Sequence, residues 1–191
     1  MREQILSALV EAQSGLLTLS NDAVTLGAIE LLVEKIVAAF QSGHRLLIMG
    51  NGGSAADAQH IAGEFVGRFK RERRPLPAIA LTTDTSILTA IGNDYGFEQV
   101  FARQVRALGQ AGDVTIGLST SGYSPNVLEG LRVARELGLF AVGLTGGPGG
   151  RLPEVADLVI GVPGSSTPHV QEVLLTVEHI ICDLVEQAFA R

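Results

Sequence analysis

The chain has 191 residues, 46% of them hydrophobic, and a formal net charge of -6. This length suits one domain that buries most of its apolar surface, and the composition excludes a disordered chain. The negative charge argues against nucleic-acid binding, and we predict that the basic segment 68–74 is a solvated helix end. The first residues do not resemble a signal peptide, and no apolar run approaches the roughly 20 residues that span a bilayer. We therefore expect a cytoplasmic protein that binds neither nucleic acid nor membrane.

Hydrophobic periodicity predicts the elements in chain order. The first forty residues predict two helices that separate near 20–22, and in the second helix apolar residues recur at Ile29, Leu32, Ile36 and Phe40. Short apolar segments predict strands at 45–49, 78–81, 114–118, 140–144 and 158–162. Helices are predicted between the strands at 54–66, 85–91, 97–108 and 124–137, and a last helix at 168–189. The single cysteine, Cys182, lies in this helix among apolar residues, which predicts a core position.

The predicted strands are apolar on both faces, as in a parallel sheet covered by helices on each side. Strands that alternate with helices predict right-handed crossovers and a doubly wound α/β fold with a five-stranded parallel sheet. We expect one domain over 1–191, with N-terminal helices at 1–42 and an α/β core at 43–191. The apolar surface of the N-terminal and last helices exceeds what one sheet face covers. We therefore expect the N-terminal helices to pack between subunits.

The first of two unusual strand-to-helix turns is 50–54, which has the sequence Gly-Asn-Gly-Gly-Ser. Its glycines allow backbone N–H groups to approach an anion closely, and Ser54 is expected to cap the next helix. Glycine-rich turns also serve tight packing alone, so the sequence of this turn leaves both interpretations open. Neither unusual turn contains the lysine of a Walker A motif, and this one is not Gly-x-Gly-x-x-Gly. Nucleotide triphosphate hydrolysis and dinucleotide binding are therefore not expected.

The second turn, 119–125, has the sequence Ser-Thr-Ser-Gly-Tyr-Ser-Pro and precedes a predicted helix whose first turn accepts Pro125. Its four hydroxyl groups, the free N–H groups and the helix dipole can together surround a phosphate. A turn that only caps its own helix needs one or two hydroxyls. The excess favours phosphate binding.

Ionisable residues follow the first turn. Asp57, His60 and Glu64 lie on one face of the predicted helix. A His/Glu pair at i, i+4 suits a metal ion or a base oriented by its neighbour, but such pairs also occur as solvated helix-surface pairs. His179 lies away from the apolar stripe of the last helix, and taken alone it is interpreted as a surface residue.

Five segments of the chain match motifs that occur together in one protein family. They are 50–64 (Gly-Asn-Gly-Gly-Ser-Ala-Ala-Asp-Ala-Gln-His-Ile-Ala-Gly-Glu), 81–86 (Leu-Thr-Thr-Asp-Thr-Ser), 92–97 (Gly-Asn-Asp-Tyr-Gly-Phe), 119–124 (Ser-Thr-Ser-Gly-Tyr-Ser), and Gln171-Glu172 with His179. Together they resemble the bacterial phosphoheptose isomerases, which are sugar isomerase (SIS) domain proteins with a flavodoxin-like fold. The resemblance covers nearly the whole chain. The serine turn alone indicates only a SIS domain, and the His60/Glu64 and Gln171/His179 pairs make the resemblance specific.

This resemblance implies conversion of sedoheptulose 7-phosphate to D-glycero-D-manno-heptose 7-phosphate by enediol proton transfer, the first step toward ADP- or GDP-heptose for lipopolysaccharide and other surface glycans. It implies that Glu64 is the base and His179 its partner acid. The implied substrate-binding residues are Asn51, Gly52, Gly53, Ser54, His60, Glu64, Asn93, Asp94, Ser119, Thr120, Ser121, Ser124 and Gln171. The implied cofactor is one zinc ion per subunit, with His60, Glu64, Gln171 and His179 as ligands. The implied assembly is a homotetramer in which active sites are shared between chains.

Two features depart from a simple match. Tyr123 stands where the family is expected to have Asn. Gln171 and His179 are separated by about 80° around a helix, so their side chains would have to extend by different amounts to bind one ligand.

The main alternative is a non-catalytic SIS protein that binds the replication initiator. Those relatives are expected to lack the late histidine, so His179 favours the enzyme. A different sugar-phosphate isomerase on the same fold is a further alternative.

Overall fold

Helices and strands alternate through residues 1–190, the part of the chain that the computed structural model describes. The helices are α1 (Arg2–Ser20), α2 (Ala23–Gln41), α3 (Gly53–Val66), α4 (Thr85–Tyr95), α5 (Val100–Leu108), α6 (Pro125–Glu136), α7 (Leu152–Val155) and α8 (Thr167–Gln187). The strands are β1 (Leu46–Gly50), β2 (Ala78–Ala80), β3 (Val114–Leu118), β4 (Phe140–Gly146) and β5 (Leu158–Val162). A 3₁₀ turn, Phe97–Gln99, leads directly into α5.

All five strands are parallel and lie in the order β2-β1-β3-β4-β5. The chain moves outward from β1 to β2 and then returns to the other side of β1 for β3. In sheets of this kind, ligands bind at the carboxyl ends of the strands on either side of this reversal. The predicted doubly wound fold is confirmed, and the two unusual turns, which follow β1 and β3, lie side by side at the reversal.

The sheet has a hydrophobic core on each face. Leu46 and Ile48 of β1 pack with α2, α3 and α8 on one side, whereas Leu47 and Met49 pack with α5, α6 and α7 on the other. Successive side chains of a strand point to opposite faces, so a strand buried on both sides must be apolar throughout. The continuous apolar runs of the sequence reflect this arrangement.

The apolar helix surface that the chain leaves exposed does not lie where the sequence predicted it. Ile29 and Ile36 of α2, like the apolar stripe of α8, are buried in the chain's own core and cover the sheet. Helices α2 and α8 expose only a few large apolar side chains, and most of the surplus lies on α1. In α1, Gly15 and Leu19 are buried and a row of large apolar side chains is exposed: Ile5, Leu6, Leu9, Val10 and Leu17. The expected packing of N-terminal helices between subunits stays a prediction and now concerns α1.

The prediction for the basic segment 68–74 is wrong. Helix α3 ends at Val66, and the chain continues as an irregular loop to β2. Arg73 is buried in this loop beside Glu186 of α8, with the Arg73 Nε atom 3.4 Å from Oε1. The segment therefore belongs to the packed structure rather than to a solvated helix end.

Other local predictions have mixed outcomes. Cys182 is buried, as predicted, and burial raises the pKa of its thiol well above the usual range. The short helix α7 was not predicted, and the predicted helix at 97–108 begins with the 3₁₀ turn.

Within residues 1–190, no helix is long and apolar enough to cross a bilayer.

Candidate active site

The turn after β1 lies close to α8. Gly52 has a positive φ of 56° and is the N-cap of α3, so Ser54 is not the cap that the sequence predicted but lies inside the first turn. A Cβ atom on Gly53 would lie 2.6 Å from the side-chain Nε2 of Gln171. Because glycine has no such atom, the amide of Gln171 can lie against the start of α3.

The serine turn is ordered by its own hydroxyl groups. The Oγ atoms of Ser119 and Ser124 are 2.9 Å apart, and the N–H of Gly122 donates to Ser119 Oγ at 3.2 Å. The N–H of Tyr123 donates to Ser121 Oγ at 3.2 Å. None of these side chains caps α6, and Pro125 lies in the first turn of this helix as predicted. The hydroxyl groups therefore shape a turn at the N-terminus of a helix, where an anion is stabilised.

A pair of amides joins the turn after β1 to the first turn of α6, directly after the serine turn. Asn51 and Asn126 donate to each other's side-chain oxygens at 2.8 Å in both directions, and Asn126 is only 2% exposed. Beside them is an open cavity of about 220 Å³, lined by residues that include Asn51, Phe97 and Ser124. No sequence pattern indicated Asn126, because its partner is 75 residues away. The amide pair thus links the turn after β1 to the start of α6, beside the cavity.

The imidazoles of His60 and His179 meet between α3 and α8. Their Nε2 atoms are 2.7 Å apart, and His60 Nε2 lies 3.7 Å from Oε1 of Glu64. The ring of Phe69 stacks on His179 with centroids 5.5 Å apart and planes inclined by 21°. His179 is therefore not an isolated surface histidine, and Glu64 and His179 lie beside the same imidazole within one chain. A second chain is not needed to bring this pair together.

Gln171 points away from the two imidazoles. Its Nε2 donates to both carboxylate oxygens of Asp57, at 3.1 and 2.9 Å. Burial raises the pKa of Asp57, and the Gln171 hydrogen bond and the nearby His60 only partly oppose this effect. Because Gln171 and His179 point in different directions from α8, each contacts a different residue of α3. Gln171 contacts Asp57, and His179 contacts His60. The family resemblance implied no role for Asp57, although its spacing placed it on the same face of α3 as His60 and Glu64.

Glu178, next to His179 in the chain, is buried with an exposed fraction of 1%. Within residues 1–190 neither of its carboxyl oxygens has a hydrogen-bond partner. Burial, and secondarily the charge of Asp57, raises the pKa of Glu178 to about 8. This carboxyl group is therefore mostly protonated at neutral pH, and no sequence pattern indicated it.

Asn93 and Asp94 lie at the C-terminal end of α4, and both are exposed. The side-chain N–H of Asn93 donates to the Asp94 carboxylate at 2.8 Å. The described hydrogen bonds join neither of them to the other implied site residues. Their assignment to the sugar site stays a prediction.

The donor types at the His60–His179 contact suit zinc, since two imidazoles and a carboxylate are a common ligand set for this ion. Yet no group of three or more His, Cys, Asp or Glu side chains in residues 1–190 has the geometry of a formed metal site. The facing Nε2 atoms are at hydrogen-bond distance. His60, Glu64 and His179 are therefore the residues that could hold a metal, and Gln171 would first have to leave Asp57.

The fold and the site define a SIS domain protein, and the family model described as "SIS domain" matches residues 17–146. A phosphoheptose isomerase of Pelobacter propionicus is 60% identical over 82% of this chain and 83% of its own length. One from Burkholderia pseudomallei is 52% identical over 96% of this chain and 93% of its own. The solved phosphoheptose isomerase of Neisseria gonorrhoeae superimposes with a TM-score of 0.90 at 40% identity, covering 97% of this chain and 98% of that one. The chain belongs to the phosphoheptose isomerase family.

Proposed function

We propose that this protein converts sedoheptulose 7-phosphate to D-glycero-D-manno-heptose 7-phosphate. The observation that carries the proposal is the meeting of Glu64, His60 and His179 within one chain. A carboxylate beside a hydrogen-bonded imidazole pair supplies the base and the mobile proton that ketose–aldose isomerisation requires. High identity to relatives named phosphoheptose isomerase supports the choice of a seven-carbon sugar phosphate.

In the proposed mechanism the carboxylate of Glu64 removes a proton from C1 of the ketose, and the same carboxyl group returns it at C2. The hydrogen bond between the two Nε2 atoms requires one of them to be protonated and the other not. The pair formed by His60 and His179 thus donates a proton to the carbonyl oxygen at C2 as the enediol forms. It then accepts the hydroxyl proton from O1, which completes the aldehyde and balances the step.

The proposed phosphate site is the serine turn, with Ser119, Thr120, Ser121 and Ser124 at the N-terminus of α6. The sugar is proposed to contact Asn51, Gly52, Gly53, Ser54, His60, Asn93, Asp94 and Gln171. The cavity beside Asn51 and Ser124 and the amide pair that joins the turn after β1 to the start of α6 support this placement. Anions are stabilised at helix N-termini by free N–H groups and the helix dipole.

Zinc is part of the proposal: His60, Glu64 and His179 would hold the ion, with Gln171 as a further ligand once it leaves Asp57. The bound ion would then polarise the carbonyl as a Lewis acid in place of the proton shared by the two imidazoles. We also propose a homotetramer, because α1 exposes an apolar row that another copy can cover. A cytoplasmic location follows from the proposed substrate, which is a charged sugar phosphate.

The test of the function is turnover by the purified protein. We expect NMR to show conversion of sedoheptulose 7-phosphate to the aldose, and much slower conversion of fructose 6-phosphate and ribulose 5-phosphate. Activity measured with a chelator, and again after zinc is restored, tests the metal. Failure to convert any of the three sugars with zinc present would favour the non-catalytic, initiator-binding alternative, and preference for a shorter sugar would favour a different isomerase.

Removal of two hydroxyls from the serine turn should weaken substrate binding more than catalysis. We expect Ser119→Ala with Ser121→Ala to raise KM about tenfold or more with a smaller change in kcat, because phosphate contacts act equally in the ground and transition states. Steady-state kinetics give both constants. Ser42→Ala, at the end of α2, is the matched control. An unchanged KM with a collapsed kcat would place the phosphate elsewhere.

Mixing two inactive variants tests whether Glu64 and His179 act within one chain. We expect Glu64→Gln and His179→Ala proteins to remain inactive after their subunits exchange, since every mixed site lacks one of the two groups. Native mass spectrometry of an isotope-labelled partner verifies the exchange, and activity is measured on the same sample. Activity restored to about a quarter of wild type would show that the pair comes from different chains.

A further inference from the structure

Residues 67–77 form the loop between α3 and β2. This loop lies against α8, and its backbone binds one carboxylate of that helix. The backbone N–H groups of Phe69, Lys70 and Arg71 donate to Glu186 at 2.8, 2.6 and 2.7 Å. Successive backbone N–H groups that converge in this way form an anion-binding concavity, here filled by a side chain of the same protein. The α3–β2 loop is therefore fastened to α8 through its main chain.

A buried arginine extends this fastening to the end of α3. The side chains of Arg73 and Glu186 are both fully buried, and Arg73 Nε lies 3.4 Å from Glu186 Oε1. The guanidinium donates to the backbone oxygens of Glu64 at 2.6 Å and Gly67 at 2.7 Å. Burial raises the pKa of Glu186, but the N–H donors and Arg73 more than offset this, so its pKa lies below the usual value. The carboxylate thus carries the charge that the loop and the arginine require.

The fastened loop supplies the aromatic ring that contacts the proposed acid. Phe69, whose N–H binds Glu186, stacks its ring on the imidazole of His179. Glu186 and His179 are seven residues apart and lie on one face of α8, two turns from each other. The carboxylate of Glu186 therefore fixes the backbone at Phe69, and the ring of Phe69 lies directly beside the imidazole of His179.

We propose that Glu186 is a positioning residue, which holds Phe69 against His179 and so keeps the Nε2 atom of His179 directed at His60. The stacked ring restricts rotation of the imidazole about its Cβ–Cγ bond and shields one of its faces from water. The inference rests on the proposed function, in which that Nε2 takes part in proton transfer. A small misplacement of a reacting group can slow a reaction by about 10²-fold.

The same loop also has a partly exposed attachment to α8, which provides a control. Asp183 pairs with the side chains of Lys70, at 2.9 Å, and Arg71. Pairs that solvent can reach contribute little to stability. Asp183→Asn removes the same charge from the same helix as Glu186→Gln but leaves the main-chain contacts intact.

The test compares Glu186→Gln, Phe69→Leu and Asp183→Asn by kinetics and by NMR of histidine labelled with ¹³C at Cε1. We expect Glu186→Gln and Phe69→Leu to lower kcat about tenfold or more with KM changed less than about twofold. Both variants should also move the His179 ring-proton resonance downfield to a similar position, because the ring current of Phe69 is lost. Asp183→Asn should keep the wild-type kcat and resonance.

Three outcomes overturn the proposal. A folded Glu186→Gln variant with wild-type kcat overturns it, and so does one that loses kcat while its His179 resonance stays in place, since Glu186 would then act through stability alone. If Glu186→Gln fails to fold, unchanged kcat and resonance in Phe69→Leu overturn it instead. The resonances are measured without substrate, so they still decide the contact if wild-type protein fails to convert sedoheptulose 7-phosphate, a result that defeats only the proposed function.

Discussion

Replacing Glu64 by glutamine should lower kcat by about 10²- to 10⁴-fold while substrate binding remains nearly intact. The amide keeps the shape of the side chain but cannot take a proton from carbon. The backbone contact from Arg73 to the Glu64 oxygen does not involve the changed group, so the end of α3 should keep its place. Initial rates followed by NMR give kcat, and calorimetry with the sugar phosphate gives the dissociation constant.

The control for this variant is Glu72→Gln, which makes the same chemical change at an exposed position of the α3–β2 loop. We expect wild-type kinetics from it. Zinc content is measured for all three proteins, because Glu64 is also a proposed ligand and loss of metal has to be separated from loss of the base. If Glu64→Gln retained more than about a tenth of wild-type kcat, another group would be the base.

The second large effect is expected in stability. Glu178→Met should raise the free energy of unfolding at pH 8 by roughly 1–4 kcal/mol. It replaces a buried carboxyl, which has no hydrogen-bond partner within residues 1–190, with an apolar side chain of similar length. For a chain of this size that corresponds to a rise in Tm of several degrees. The melting temperature is measured at one fixed protein concentration.

The gain should also depend on pH. The pKa of Glu178 is about 8 in the folded protein, against 4.5 for an unperturbed glutamate. As pH rises through this window the unfolded chain releases the proton while the folded chain retains it, so wild-type stability falls and then levels off above pH 8. The Tm difference between Glu178→Met and wild type should therefore widen from pH 5 to pH 8. Glu172→Met, at an exposed position of α8, should show no such widening, and a constant or negative difference at Glu178 would mean that its carboxyl has a stabilising partner.

The fold was predictable because its signals are local. The strands of a doubly covered parallel sheet must be apolar on both faces, and β1, from Leu46 to Gly50, shows this directly. Turn composition likewise located the two unusual turns after β1 and β3 and placed Pro125 in the first turn of α6. The apolar face of α2 did not reveal its partner: Ile29 and Ile36 cover the sheet, and periodicity shows that a face is apolar but not what covers it.

The site was only partly predictable because its decisive contacts join distant segments. His60 and Glu64 are one helical turn apart, so spacing alone could pair them. The contact of His60 with His179 spans 119 residues, and that of Phe69 with Glu186 spans 117. The basic segment illustrates the difficulty, since composition predicts that Arg73 is solvated and the structure buries it against a carboxylate. Such pairings depend on how α8 crosses α3, which no single segment specifies.

The most direct measurement of the central claim is the isomerisation of sedoheptulose 7-phosphate in D₂O by wild-type protein and by Glu64→Gln. The proposed mechanism predicts that the wild-type product is the aldose heptose 7-phosphate with deuterium at C2, since the carboxyl of Glu64 exchanges the proton taken from C1 with solvent before it protonates C2. Glu64→Gln should form almost none of this product. Absence of the aldose with the wild-type protein, or equal deuterium incorporation by Glu64→Gln, would show that Glu64 is not the base of this reaction.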